Sequence, residues 1–218
     1  MFQEFGWIHL LPLVKGAGLT IVLCFFATIF GSVIGLFVGL GSLSKRKFII
    51  IVCTWYIKLI RGIPLLMLIF LTYFGLPMII DGINFSKGFS AVLALSIYAG
   101  AYMGEIVRGS IQSISKGQFE ASDALGLSYF QKIRYVILPQ ALKVMIPPGI
   151  GFIIALIKDS SLVSVIGYID LTKAGRVVSN LTVDPIRTFL VVALFYFVIC
   201  YGLSKVSRYY EAKLTQSQ

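Results

Sequence analysis

Apolar residues fall in five long stretches, and most charged residues gather between them. Residues 16–44 carry no charged side chain. A helix needs about 20 apolar residues to cross a bilayer, so this stretch predicts a first span over about 14–43. The second stretch, 48–80, is too long for one straight crossing. Lys58, Arg61 and the run Gly62-Ile63-Pro64 interrupt it, so it predicts a long kinked span or an interfacial helix feeding one. Three further spans are predicted over about 88–110, 139–166 and 186–206, with the fourth opening fully at Pro147. No linker or low-complexity tract separates them, and residues 1–218 read as one transmembrane domain. The expected fold is all-α and integral to the membrane: five spans, with a short helix in the loop 111–138 between spans three and four. Span one repeats a small residue every fourth position, at Ala27, Gly31, Gly35 and Gly39. Such a ladder lets two helix backbones approach closely, either within one subunit, the preferred reading here, or between two.

Composition sharpens this picture. The chain of 218 residues is 58% hydrophobic and only 13% charged, whereas a water-soluble domain carries about 25% charged residues to coat itself. The net charge of +10 does not indicate nucleic acid, because the bases sit at the ends of apolar runs. They form three dense clusters: Lys45 to Lys47; Lys116, Lys132, Arg134 and Lys143; and Lys205, Arg208 and Lys213. Basic loops stay in the cytoplasm. The N-terminus, with Glu4 and no base before Lys15, is then outside, together with segments 81–87 and 169–185, and the C-terminus is inside. The outer segment is itself partly basic, with Lys173, Arg176 and Arg187. No basic stretch precedes the first apolar run, which therefore reads as a span and not as a removed signal peptide. Cys24, Cys53 and Cys200 lie inside apolar runs at no metal-ligand spacing and read as small hydrophobic fillers; no metal site is expected.

The polar stretch 117–142, "GQFEASDALGLSYFQKIRYVILPQAL", breaks the apolar pattern. Gly117 and Gln118 precede a helical run over 119–125, with Glu120 and Asp123 in its first turns, where the helix dipole favours acids. Gly126 is placed to stop it, Ser128 to cap a second helix from Tyr129, and Pro139 to mark the return to the membrane. This predicts a short cytoplasmic helix held by spans three and four. It can serve as a lever moved from outside the membrane, or lie on the surface as an amphipathic connector.

The same spacing resembles the cytoplasmic loop signature of binding-protein-dependent ABC importer permeases: E-A-A, three residues, Gly, nine residues, Ile, one residue, Leu-Pro. Glu120, Ala121, Gly126, Leu138 and Pro139 match it, while Ser122 stands for the second Ala and Val136 for the Ile. Three other segments resemble the polar amino acid subgroup of that family: "LIRGIPLLMLIF" at 59–70, "AYMGEIVRGSIQSISKGQFEA" at 101–121 and "LIKDSSLVSVIG" at 156–167. The resemblance runs from about residue 13 to residue 207. It implies a permease in a bacterial cytoplasmic (inner) membrane that imports polar, including basic, amino acids. It implies a second permease subunit, identical or homologous, a dimer of ATPase subunits that bind ATP and Mg, and an extracytoplasmic amino acid-binding protein. It also implies that Gly117, Glu120, Ala121, Ser122, Asp123, Ala124 and Gly126 belong to a coupling helix that docks on the ATPase.

Charges within the spans point to the site. If span four opens at Pro147, then Lys158 and Asp159 fall near the bilayer centre. An ionised side chain there costs about 2.5–3.5 kcal/mol, so both should face the bundle interior or a wet cavity. Adjacent helical residues point about 100° apart, so the two pair poorly with each other and better with a zwitterionic substrate. Ser160 and Ser161 extend this polar face, and Tyr98 and Tyr102, one turn apart on span three, can line the same cavity. Lys58 and Arg61 on span two and Glu105 and Arg108 on span three form an expected inner ion-pair layer, structural or gating, with Arg61 the preferred partner of Glu105. No Walker-type phosphate loop and no catalytic triad is present, so the chain is not expected to hydrolyse ATP itself. A competing class is an ion-coupled secondary amino acid carrier, in which Asp159 or Glu105 would take the coupling ion; the coupling-loop spacing has no purpose there. A scaffold without transport would not place charges in mid-membrane.

Overall fold

Eight helical elements follow one another in the computed structural model, which describes residues 4–80 and 84–215, and side chains up to residue 212. Asp81, in the expected outer loop, and the side chain of Lys213 lie outside the described residues. The helices are α1 (Leu10–Gly41), α2 (Lys47–Gly62), α3 (Leu65–Ile79), α4 (Lys87–Gln112), α5 (Lys116–Ala124), α6 (Tyr129–Ile166), α7 (Leu171–Thr182) and α8 (Pro185–Thr215). Among the described residues, α1, α4, α6 and α8 are each long and apolar enough to cross a membrane. The pair α2–α3 passes the same test only when taken together, and it bends by 104°. The cause lies in the break itself: Ile63 is extended (φ −98°, ψ 131°), as a residue before proline prefers, and Pro64 brings no N–H to continue the ladder. The kink expected at Gly62-Ile63-Pro64 is thus a sharp corner.

The glycine ladder of α1 packs inside the chain, against α4. A Cβ on Gly35 would stand 2.5 Å from the Met103 Cβ, and one on Gly39 would stand 2.6 Å from that of Val107. Gly31 meets Ala99 in the same way. Only hydrogen fits in these positions, and close contact replaces the hydrophobic drive that a bilayer does not supply. A core of Leu23, Ala27, Leu65, Ile69, Leu95, Leu156 and Val163 then joins α1, α3, α4 and the end of α6.

Two elements differ from expectation. First, α6 runs through Pro147 and Pro148 without ending, and includes a wider π-type turn over Lys132–Ile137. From Leu138 to Asp159 the helix climbs about 32 Å at 1.5 Å per residue. There the α-helix tightens into a 3-10 turn, Ser160–Ile166, closed by Gly167 at φ 78°. Second, the segment expected only as an outer loop contains α7. The buried Asp170 caps it, accepting from the Lys173 N–H at 2.9 Å and the Thr172 N–H at 3.0 Å. Burial pushes the Asp170 carboxyl above the usual carboxylate range, and these two N–H groups pull it partly back. Leu171 donates to Thr20 Oγ1 at 3.0 Å, and Ala174 and Val178 pack on Leu13, Ala17 and Val192, which fastens α7 to α1 and α8.

Candidate functional site

The corner between α2 and α3 puts Arg61 beside α4. Tyr56, one turn earlier on α2, holds this position by donating to the Ile97 carbonyl at 2.7 Å. Gly100 makes the approach possible, since a Cβ there would lie 2.8 Å from the Tyr56 hydroxyl. The Arg61 guanidinium then stands over the Tyr102 ring, 5.2 Å from its centroid, a distance at which cation–π attraction operates. Its Nη1 reaches Glu105 Oε1 at 3.7 Å.

Glu105 has a closer partner on its own helix. Arg108 grips it with two parallel bonds, Nε to Oε2 at 3.1 Å and Nη2 to Oε1 at 2.5 Å. Such a bidentate fork fits a carboxylate better than one long contact. The expected layer is therefore an Arg108–Glu105 pair with Arg61 behind it. Lys58 does not join: it is exposed and has no ion pair among the described residues.

Above this layer, Tyr98 and Tyr102 lie with ring centroids 4.6 Å apart. Phe152 of α6 stacks on Tyr102 at 5.0 Å and also reaches Tyr98 at 6.1 Å. The sequence analysis missed Phe152, although it lies seven residues, two helical turns, before Asp159 and so on one face with it. Asp159 stands two turns beyond Phe152 on the same side of α6, half-buried. The cluster thus brings three aromatic rings under the exposed Arg61 guanidinium, with the Asp159 carboxylate further along α6.

Lys158 is not part of this cluster. It is exposed in a groove of about 400 Å³ between α6 and α8, beside Tyr196, Cys200 and Tyr201. Lys158 and Asp159 thus diverge around α6, as neighbouring helical residues do. Ser160 is fully buried and donates to the Ile157 carbonyl at 2.8 Å, so its hydroxyl faces the core and not an open cavity. Ser161 is half-buried beside it.

The short polar helix, α5, begins at Lys116, three residues before the expected start. Ser115 caps it, accepting from the Gly117 N–H at 3.3 Å. Asp123 consequently falls in the last turn, not the first, where the dipole disfavours an acid; an ion pair with the largely buried Lys132 compensates. Gln140 donates to Gln118 at 3.2 Å, so both ends of α5 are tied to α6. Ser122 turns inward and donates to the Gln118 carbonyl at 2.6 Å, while Gly117, Glu120, Ala121, Asp123, Ala124 and Gly126 are exposed. The exit is a Schellman motif: Gly126 at φ 71° donates to the Asp123 carbonyl at 2.9 Å, and Leu127 to that of Ser122 at 3.1 Å.

Residues 31–216 match the family described as binding-protein-dependent transport system inner membrane components. The chain is 38% identical over 187 residues to the probable amino-acid ABC transporter permease protein YckA of Bacillus subtilis, covering 86% of this chain and 82% of that one. It is 37% identical over 217 residues to the glutamine transport system permease protein GlnP of Escherichia coli, covering 97% and 99%. Its fold superposes with a TM-score of 0.89 on a chain of an amino acid ABC transporter crystallised with histidines, at 34% identity, covering 97% and 100%.

Proposed function

Because this chain belongs to the family of binding-protein-dependent transport system inner membrane components, we propose that it imports polar amino acids, basic ones among them. It is an amino-acid ABC transporter permease subunit, which translocates substrate and leaves ATP hydrolysis to a separate ATPase. The finer reading adds a second permease subunit, identical or homologous, and an extracytoplasmic binding protein that delivers the amino acid. The relatives named for glutamine and the neighbour crystallised with histidines favour a polar substrate.

The observation that carries this reading is the cluster of Tyr98, Tyr102 and Phe152 with Arg61 over the Tyr102 ring, on the α6 face that also bears Asp159 two turns beyond Phe152. A free amino acid must exchange water for fixed partners at both of its charges. Asp159 takes an ammonium or a cationic side chain; the tyrosine rings and Phe152 supply cation–π faces; Arg61 suits the carboxylate. Lys158 serves the carboxylate only through the α6–α8 groove, on the other side of the helix, and Ser161 supplies a neutral hydrogen bond. In this reading α2–α3 makes one bent crossing of five, and the basic clusters after α1, around α5 and after α8 keep the C-terminus and α5 in the cytoplasm and the N-terminus outside.

In this mechanism the exposed face of α5 docks on the ATPase, which alone binds ATP and Mg. Closure of the ATPase dimer pushes α5. The Asp123–Lys132 pair and the Gln118–Gln140 bond pass that push to α6, the helix that carries Phe152 and Asp159. The test is Asp159→Asn, which removes the charge and keeps the size. Losing one charge-assisted contact should slow uptake of a basic amino acid about ten- to hundredfold, with little effect on a neutral one. Unchanged rate and unchanged substrate choice would place the site elsewhere.

A further inference from the structure

A cavity of about 560 Å³ opens between the end of α1, the last turns of α4, the inner side of α5 and the first turns of α6. Its wall is apolar, built from Leu40, Leu43, Ile111, Ile114, Phe119 and Ile133. Two lysines stand at its rim. Lys116 lines it directly. Lys45 holds its Nζ 5.9 Å from the ring centroid of Tyr129, another lining residue. Neither lysine has an ion pair among the described residues, and the described lining includes no carboxylate.

Depth matters as much as lining. The two apolar helices that bound the cavity end at Gly41 and Gln112; in the five-span reading proposed above, these ends meet the level where hydrocarbon gives way to headgroups. An apolar hollow at that level is costly to fill with water. Arg46 and Lys47 follow Lys45 in the chain and keep the rim positive. Apolar walls below and unpaired cations above match one amphiphile.

We propose that this cavity binds an anionic phospholipid, its acyl carbons against Leu40, Ile111 and Phe119 and its phosphate against Lys45 and Lys116. A net negative headgroup is selected because two cations meet it and no acid answers the ammonium of a zwitterionic one. Phe119 belongs to α5, so the bound lipid wedges that helix against the ends of α1 and α4. This effect on α5 movement rests on the coupling role proposed above; the site itself does not.

The experiment uses the full-length permease in phosphatidylcholine vesicles, with traces of spin-labelled phosphatidylglycerol or spin-labelled phosphatidylcholine. The protein should immobilise the anionic probe in preference. Lys45→Gln with Lys116→Gln should lower that preference by about fivefold for each lysine removed. Lys205→Gln, which lies over the Tyr201 ring on α8, should leave it unchanged. Ile114→Trp, filling the hollow, should release the immobilised anionic probe without altering circular dichroism. An equal fall in the Lys205→Gln variant would mean diffuse surface charge and overturn the site. So would an Ile114→Trp variant that keeps the lipid preference but loses capture by the ATPase, since the hollow would then belong to a protein partner. Coupled transport plays no part in these readouts, so they fail or succeed independently of the proposed transport function.

Discussion

Glu105 shows how a charge is kept inside a bundle at the level of single residues. Its carboxylate accepts two bonds from Arg108, at 3.1 and 2.5 Å, and meets Arg61 only at 3.7 Å. The groups are about one-third exposed, with 30% for Glu105 and 33% for Arg108, so solvent screens the pair and its value stays modest. A double-mutant cycle on thermal unfolding in detergent should give a Glu105–Arg108 coupling of about 1 kcal/mol and a Glu105–Arg61 coupling of a few tenths. The reverse order would show that the α2 corner, and not the local fork, holds the carboxylate. Arg61 is then left available for its second contact, the Tyr102 ring, and for a ligand. Sequence named all four charged residues but ranked Arg61 first as the partner of Glu105, where the structure puts Arg108. Arg108, at i+3 from Glu105, always lies on its helix face, whereas Arg61 approaches only because a 104° corner brings it there.

Among the elements, the α1–α4 seam is the tightest contact. A Cβ added at Gly35 would also lie 2.8 Å from the Gly104 nitrogen, so backbone as well as side chain must give way. Gly35→Ala should therefore destabilise the purified permease by about 1–3 kcal/mol through overpacking. Gly109→Ala, on the same α4 but with nothing within 4 Å, should be neutral or stabilising by up to about 1 kcal/mol. Equal melting temperatures for the two variants would remove the seam from the account. The Gly31-Gly35-Gly39 spacing announced such a seam, but only the packed structure supplies its partner. The long apolar runs were legible because hydrocarbon demands about 20 apolar residues. The helix α7 was not: its 12 residues are too few and too polar on one face to resemble a span, and its anchor, Thr20, is 151 positions away from Leu171. Likewise Pro147 read as the place where the fourth span opens fully, whereas α6 runs through Pro147 and Pro148 as one helix. Within a bundle, the neighbouring helices support the interrupted ladder.

For the molecule as a whole, the proposed coupling requires a push on α5 to reach the proposed site on α4 and α6. Serine 115 starts α5 directly after α4, and Lys132 and Gln140 fasten it to α6. The least replaceable part is the exit at Gly126. Its φ of 71° costs a residue with a side chain about 1–2 kcal/mol, and nothing lies within 4 Å of a Cβ placed there. The penalty is thus confined to the backbone and is too small to unfold a chain of ordinary stability. It is large enough to open the Schellman turn and free the Asp123 and Ser122 carbonyls, which shifts the end of the lever relative to Lys132. Gly126→Val should accordingly leave membrane abundance and melting temperature near normal while lowering the amino acid imported per ATP hydrolysed. Gly126→Asn should retain most of the yield, because Asn enters the left-handed region more readily. Measurement requires the permease, its ATPase and the binding protein together in proteoliposomes, with uptake and hydrolysis followed in the same sample. If Gly126→Val imports as much per ATP as the native chain at equal abundance, the shape of this turn does not transmit the stroke, and the path from ATPase to Asp159 must avoid the C-terminal end of α5.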